Sequence, residues 1–509
     1  MILYQVRNSH KTQRKVFSMV KSIQYFNEEC VPTFEKLEDE FIRNPMDIAT
    51  YVMDITRVLH QAGIRMIEET LGYLSQMLKE SELRKMDWVV DRNGDKQLIT
   101  SLGAICYPKA LFKNKEDGER AYLLDRVMNM HSHERITEDA EARMLEEAVQ
   151  TSYRRGGNEA SILDSVSKQT VKNKIHRLQF PPEDEALVEK RAPRMLFIDA
   201  DEDHVSLQFQ QKKGDLTRSR NGHKNNGMIT KLVYTYEGIR PESPGSKRNV
   251  LINPHYFCSD SESEDNQAFW DRIYNYIDTH YDLGRIERIY LNGDGGAWID
   301  IGKKGIGGIV STIDEFHLQK YLTKMTAHMK GSQWDAITDL RRVIRHGGKR
   351  EFKEVTERLR ACLEEPDGTN AEYVAAGEKY ILDNWMACKV RLSYRKMLPG
   401  CSAEGHVSHV LSSRMSTQAM GWSKKGAGKM ARLRAYYYNG GDMLELVRYQ
   451  KEELLEAVGA ERTFFTPTEV MRSEKNRHYE LGKYMASIQG SLSNSIKKKL
   501  WFNAHLTGL

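Results

Sequence analysis

The sequence predicts a mixed α/β protein: an α/β core interrupted by an all-helical insertion and preceded by a mostly helical N-terminal region with a small β element and a helix-turn-helix. Three observations carry this. Short apolar runs of strand length recur between Arg194 and Ile313, acidic residues stand at their ends, and the stretch from about Leu318 to Leu392 is charged and helical in period, without strand patterning. The chain has 509 residues, 40% hydrophobic and 29% charged, enough for two to four domains and at least one full core. No apolar run approaches the roughly 18 residues of a membrane span. The residues after Met1 lack the apolar segment of a secretory signal, so a cytoplasmic protein with no membrane partner is expected. Six cysteines without a C-x-x-C pair point to reduced thiols rather than a disulfide framework or a zinc knuckle. The net charge of +5 is too mild to require a nucleic-acid partner, so local clustering decides.

From Thr33 to about Lys85, apolar residues at helical spacing, among them Phe41, Ile48, Val52, Ile55, Leu59 and Leu71, predict long amphipathic helices. The pattern then shortens to strand-like pieces, Trp88 to Val90, Leu98 to Leu102 and Ala104 to Tyr107, with Asn93-Gly94 as the expected hairpin turn. Helix resumes at Thr137. Ala142 to Arg154 reads as one helix, Gly156-Gly157 as its break, Asn158 as the cap of a short helix to Leu163, and Ser167 as the cap of a helix from Lys168 to Leu178. This is helix-turn-helix spacing. The last helix carries Lys168, Gln169, Thr170, Lys172, Asn173, Lys174 and Arg177, residue types that contact base edges and phosphates in a major groove of double-stranded DNA. Phe180-Pro181-Pro182 reads as a linker.

Beyond Arg194, Met195 to Ile198 reads as a buried strand running into Asp199 and Asp201, Val205 to Phe209 as its neighbour, and Ile229 to Tyr236 and Asn249 to Phe257 as two more. A helix from about Asn266 to Tyr281 follows, then a strand Ile286 to Leu291 ending in Asn292-Gly293-Asp294-Gly295-Gly296, and a strand Ile309 to Ile313 ending in Asp314. Strands first, then helix, strand, helix, strand is the order that opens a ribonuclease H-like fold. Glu404 lies beyond the helical insertion, near the start of a helix through Arg414, and the chain closes with helical, basic residues ending in Lys497-Lys498-Lys499.

Asp201, Asp294 and Glu404 stand out by position. Oxygen ligands at separated strand and helix ends suit two hard divalent cations about 4 Å apart, which activate a water or a 3′-hydroxyl on one side of a phosphodiester and stabilise the leaving oxygen on the other. Glycines around Asp294 admit a phosphate backbone, and Trp298 just beyond offers a ring on which a base could stack.

The runs Gly293-Asp294-Gly295-Gly296-Ala297-Trp298-Ile299, Asp314-Glu315-Phe316-His317-Leu318-Gln319-Lys320-Tyr321, Glu404-Gly405-His406-Val407-Ser408-His409 through Arg414, and Met420-Gly421-Trp422-Ser423 resemble the ISLre-two family of bacterial insertion-sequence transposases. That family is similar to the Mutator-type transposases whose active site is Asp-Asp-Glu. The resemblance covers roughly residues 90 to 440. It implies a ribonuclease H-like catalytic domain with an all-helical insertion between the second aspartate and the glutamate, and an Asp-x-x-His signature inside that interval, matched here by Asp314 and His317. It assigns Asp201, Asp294 and Glu404 as ligands of two Mg²⁺ ions, for which Mn²⁺ would substitute, and gives His317 a place in the active site. The first aspartate has a close competitor in Asp199. Asp201 is preferred because related transposases place the acid four residues before an apolar strand position, here Val205. Arg414, ten residues after Glu404, is nearly three helical turns on and is expected to contact a phosphate.

The expected division is 1–86 helical, 87–136 small β element, 137–182 helix-turn-helix, 183–320 first part of the core, 321–396 helical insertion, 397–435 last part of the core, and 436–509 helical and basic. Lys212, Lys213, Arg218, Arg220 and Lys224 form a basic loop, and Arg341, Arg342, Arg345, Lys349, Arg350 and Lys353 a second patch, both suited to tracking DNA phosphates. The function expected is cutting and joining of DNA at an element's terminal inverted repeats and a target, by a homodimer or larger assembly on paired ends in the nucleoid. The rivals are a nuclease that does not join and a helix-turn-helix regulator that does not cut.

Overall fold

The computed structural model describes residues 21–457 apart from 132, 209–225, 261–263, 306, 366–367, 396, 400–401 and 419. These residues fall into two compact units, one of 21–141 with 160–165 and 453–457, the other of 142–159 with 166–452. The basic loop at 212–224, Phe209 and the Lys497 to Lys499 run lie outside the described residues.

In the first unit, helices α1 (Val31–Arg43) and α2 (Ile48–Glu80) precede a three-stranded antiparallel sheet, β1 (Trp88–Ile99), β2 (Ala104–Asn114) and β3 (Arg120–Ala121). Asp47 caps α2 by accepting from the Thr50 amide at 3.0 Å. The expected turn at Asn93-Gly94 is not one. Both residues pair within β1, Asn93 with Ala110 and Gly94 with Lys109. The chain reverses instead at Thr100 to Gly103, where the Thr100 amide and hydroxyl both bond the Gly103 carbonyl, at 3.0 and 2.9 Å. Leu98, Ile105, Tyr107 and Phe112 form a core beneath Leu78 of α2 and Leu123 and Leu124 of helix α3 (Leu123–Val127).

The second unit opens with α4 (Glu138–Gln150, whose first residues belong to the first unit), α5 (Tyr153–Glu159) and α6 (Lys168–Ile175). Ser167 caps α6 by accepting from the Thr170 amide. The expected break at Gly156-Gly157 is not one, since both glycines lie inside α5, and Glu159 to Leu163 is not a helix. Their lack of a side chain serves contact: a Cβ on Gly156 would meet Ala148, and one on Gly157 the Val166 carbonyl.

The main sheet has five strands in the order β10-β9-β4-β5-β8, namely Val310–Ile313, Arg288–Gly293, Met195–Ser206, Gly227–Tyr236 and His255–Cys258. Strands β4, β5 and β8 are antiparallel in turn, while β9 and β10 run parallel to β4. Two expected strands are redrawn. Met195 to Ser206 is one unbroken strand, because its two-residue alternation continues through the acidic stretch, so Asp201 sits inside a strand rather than after one. Asn249 to Phe257 divides at Asn253, whose φ of 48° and following proline end β7 (Asn249–Ile252); β7 pairs with β6 (Gly238–Pro241) as a separate ribbon.

Leu196, Ile198 and Ala200 face one side of the sheet and pack with Phe269, Trp270, Ile273 and Ile277 of α7 (Asn266–His280) and Ile299 of α8 (Ala297–Gly302). Asp199 and Asp201, on the alternate positions, face the other side. The helices from α9 (Glu315–Met325) through α10 (Gln333–His346), α11 (Lys349–Ala361), α12 (Thr369–Asp383) and α13 (Trp385–Ser393) share a core that includes Leu318, Leu322, Leu340, Phe352, Ile381 and Trp385 and reaches Ile313 of β10.

Candidate active site

Register brings three carboxylates level. Asp199 pairs with Asn292 of β9, so two residues further along these parallel strands Asp201 stands beside Asp294. Ile313 pairs with Gly293, and the Asp314 amide donates to the Gly293 carbonyl at 2.9 Å, so Asp314 stands on the other side of Asp294. Asp294 and Asp314 follow the C-terminal ends of β9 and β10, the end at which open α/β sheets bind their ligands, and Asp201 stands level with them inside the longer β4.

The loop after β9 is held from two sides. The Asp294 carboxylate accepts from the Gly296 amide at 2.8 Å, and its carbonyl accepts from the Tyr380 hydroxyl of α12 at 2.7 Å. Gly295 takes φ +89° with the Asn384 amide packed against it, where any side chain would be both strained and blocked. Arg391 of α13 is buried and donates to the Ile313 carbonyl, the Pro399 carbonyl and the Asn292 side chain, which ties the ends of β9 and β10 to the insertion. The insertion therefore braces the acidic cluster.

Asp314 caps α9 by accepting from the Phe316 amide at 2.8 Å, and its other carboxylate oxygen lies 3.1 Å from Nδ1 of His317. That hydrogen bond, with the charges of Asp314, Asp294 and Asp201, holds the imidazole above its ordinary pKa against partial burial. The Asp201 carboxyl is pushed up to about 6, first by burial and then by the negative charges of Asp294 and Asp314, which outweigh the Glu202 amide it accepts from and the pull of His317. Asp199 is a floor residue. It is buried, accepts from the Tyr234 hydroxyl at 2.8 Å with Tyr236 close by, and is held at about 7 mainly by burial.

Glu404 is exposed on α14 (Ala403–Val407), which packs on the Asp199 face of the sheet. Ser402 touches the Tyr234 hydroxyl at 3.4 Å, and His406 packs at a tilt against the Tyr234 ring and meets the Tyr256 hydroxyl at 2.9 Å. An all-oxygen donor set suits a hard divalent cation, and a cation relieves the repulsion that raises Asp201. As they stand, however, no three acidic, histidine or cysteine side chains among the described residues are gathered closely enough to hold one ion.

Two expected contact residues are structural. Trp298 is buried, its ring N–H bonds Glu202 at 2.8 Å, its carbonyl accepts from Trp270, and it packs in the core, so no base can stack on it. Arg414 is buried with its Nε donating to the Ala148 carbonyl at 3.1 Å between Tyr153 and Trp422, and burial pushes its guanidinium down to about 10. It anchors α4 and has no reach to a phosphate. On α6, which ends at Ile175 rather than at the expected Leu178, Val171 and Ile175 face inward, Lys168, Gln169 and Asn173 are exposed, and Thr170, Lys172 and Lys174 are half-buried; Arg177 is exposed in the turn that follows. Gln169 donates to Asn173 at 2.9 Å, and the two hold one another on the outer face. Asp314 is the residue that sequence reasoning left out of the site, although its place at a strand end and its three-residue spacing to His317 were both readable.

The chain matches the model of the uncharacterised protein family UPF0236 over residues 41–453. Two UPF0236 proteins of Caldanaerobacter subterraneus subsp. tengcongensis are similar to it: one is 34% identical over 458 residues, covering 87% of this chain and 86% of the relative, and another is 35% identical over 432 residues, covering 84% and 85%.

Proposed function

The chain belongs to the UPF0236 family, and from that premise we propose that it is a DNA transposase of the Asp-Asp-Glu type, which binds an element's terminal inverted repeats, cuts a strand and joins it to target DNA. The observation that carries the reading is the level placement of Asp201 inside β4 with Asp294 and Asp314 at the ends of the two strands parallel to it. The strand order supports it, because three antiparallel strands followed by two parallel to the first is the arrangement of ribonuclease H-like nucleases and transposases. The sequence runs around Asp294, Asp314, Glu404 and Trp422 support it independently.

Asp201 and Asp294 would hold Mg²⁺ or Mn²⁺, with Glu404 of α14 as the third donor. When bound, such ions lower the pKa of the attacking water or 3′-hydroxyl and neutralise the leaving oxygen. His317, whose pKa Asp314 raises, would donate a hydrogen bond to a phosphate oxygen, and Asp314 fixes the ring's orientation. The outer face of α6 presents Lys168, Gln169 and Asn173 to the DNA, with Arg177 in the turn after it. Cutting two ends together calls for a dimer or larger assembly, working at the nucleoid in the cytoplasm. Among the described residues no helix is long and apolar enough to cross a membrane.

The test is a joining assay with radiolabelled repeat-end DNA and a plasmid target in Mg²⁺. Labelled plasmid is the expected product. Hydrolysis without joining would make the protein a nuclease, and binding without cleavage a regulator.

A further inference from the structure

The alternation that puts Leu98, Ile105 and Tyr107 into the core of the first unit also puts Lys96 and Lys109 there, since Lys96 pairs with Tyr107 and Lys109 with Gly94 on the same face. Two lysines in core register are an anomaly that ordinary packing does not explain. Their side chains are 9% and 5% exposed. Both ammonium groups converge on a single carboxylate oxygen of Asp125 from α3. Lys109 bonds it and also sits over the Tyr122 ring, at 3.8 Å from its centre, whereas Lys96 stops 3.8 Å short of the oxygen.

Three buried polar atoms are left without a hydrogen bond at this point: the Lys96 ammonium, the Tyr107 hydroxyl and the second oxygen of Asp125. Burial and the neighbouring Lys109 push the Lys96 ammonium below its ordinary range, with Asp125 and Glu134 pulling it back. A buried cation without a hydrogen bond, sharing one carboxylate with a second ammonium, is costly unless something supplies further counter-charge. The space for it is present. A cleft of about 740 Å³ opens onto Lys96 and Lys109, and Arg92, His133 and Arg135 stand at its mouth with Asp95 and Glu134. Four lysine and arginine side chains and His133 line it against two acids, with Asp125 beneath.

We propose that this cleft is a binding site for a phosphate group, taken by the Lys96 ammonium at its base and by the Arg92 and Arg135 guanidiniums at its rim. A tetrahedral oxyanion offers acceptors to several donors at once, and guanidinium forks match its edges in pairs. The volume exceeds that of a bare phosphate, so the group arrives on a larger molecule, either a free nucleotide or the backbone of DNA. The site stands in the first unit and does not depend on the reading of the acidic cluster.

The test uses the full chain and three probes: inorganic phosphate, adenosine monophosphate and a short duplex of random sequence, titrated calorimetrically against wild type, Lys96→Met and Arg135→Ala. Lys96→Met keeps the aliphatic stem and removes the charge, and Arg135→Ala changes an exposed rim residue that the fold does not need. One saturable phosphate site is expected in wild type, weakened at least about tenfold in Lys96→Met and several-fold in Arg135→Ala. A free nucleotide as ligand shows as Lys96-dependent binding of the monophosphate with duplex affinity unchanged between wild type and Lys96→Met. A DNA backbone shows as the reverse. Should Lys96→Met fail to fold, Arg135→Ala decides by the same readout. Absence of saturable binding of all three probes to wild type, or binding indifferent to both substitutions, overturns the proposal.

Discussion

The His317 imidazole and the Asp314 carboxylate face each other at 3.1 Å between Nδ1 and Oδ2, three residues apart on the first turn of one helix, with the charges of Asp201 and Asp294 beside them. The pair joins a strand end to a helix start, so a single cap residue both begins α9 and orients the histidine.

The ionic character of this pair has a pH signature. The folded-state pKa of His317 is raised, so its contribution to stability is fully present below the unfolded value of about 6.5 and is lost as pH rises through the folded value. His317→Gln should therefore lower stability most at about pH 5.5 and least at about pH 9. Urea unfolding at the two pH values checks this, and an equal loss at both would show that the ring is held by packing.

Asp201 behaves in the opposite sense. Its folded pKa of about 6 lies above the unfolded value of about 3.9, so the folded state prefers the protonated form and is penalised once pH exceeds about 6. Asp201→Asn should stabilise the metal-free protein at pH 8, on the order of 2 kcal/mol, with the gain gone by about pH 4. Mg²⁺ should raise the melting temperature of wild type and leave that of Asp201→Asn nearly unchanged. Thermal melts with and without chelator measure both, and a variant less stable than wild type at pH 8 would place Asp201 outside the cluster. In cleavage, Asp199→Asn should be milder than Asp201→Asn, since Asp199 is a buried acceptor for Tyr234.

The strand ends before Asp294 and Asp314 were legible because they announce themselves: an apolar run stops and an acid follows. What the sequence hid was pairing. The long β4 looked like two strands because its middle is acidic, yet alternation places Asp199 and Asp201 on one face and keeps Ala200 in the core. Asn93-Gly94 carries the strongest turn signal in the β element and is nevertheless paired, because Thr100 closes the hairpin with its own side chain. Trp298 and Arg414 were misjudged for one reason. An aromatic ring or a guanidinium near an active-site motif has the same letter whether it meets DNA or, as here, a buried carboxylate or carbonyl.

Those two residues give a third prediction. Trp298→Ala should cost about 3–5 kcal/mol of folding stability through lost core volume. Arg414→Met should also destabilise, because it orphans the Ala148 carbonyl. Neither should change the salt dependence of DNA binding, which paired denaturation and gel-shift titrations will show. A flattened salt slope in Arg414→Met would mean that the side chain leaves its buried site to reach a phosphate.

On α6 the exposed Gln169 and Asn173 already hold each other in place, which prepares them to read a base edge. Replacing both by Ala should narrow the gap between repeat-end and random DNA by about 1–3 kcal/mol per lost base contact, whereas Arg177→Ala should weaken binding to both and reduce the salt slope. Competition titrations at two salt concentrations separate the outcomes. Equal affinity of wild type for repeat-end and random DNA would move end recognition elsewhere in the chain.

The most direct test of the active-site assignment is strand cleavage of repeat-end DNA in Mg²⁺ by wild type and by Asp294→Asn, with gel-shift binding measured on the same preparations. Asp294→Asn should bind nearly as well as wild type and fail to cleave, since removing a metal-ligand carboxylate costs several kcal/mol at the transition state while affinity comes from basic residues elsewhere. Cleavage by Asp294→Asn at the wild-type rate would contradict the assignment.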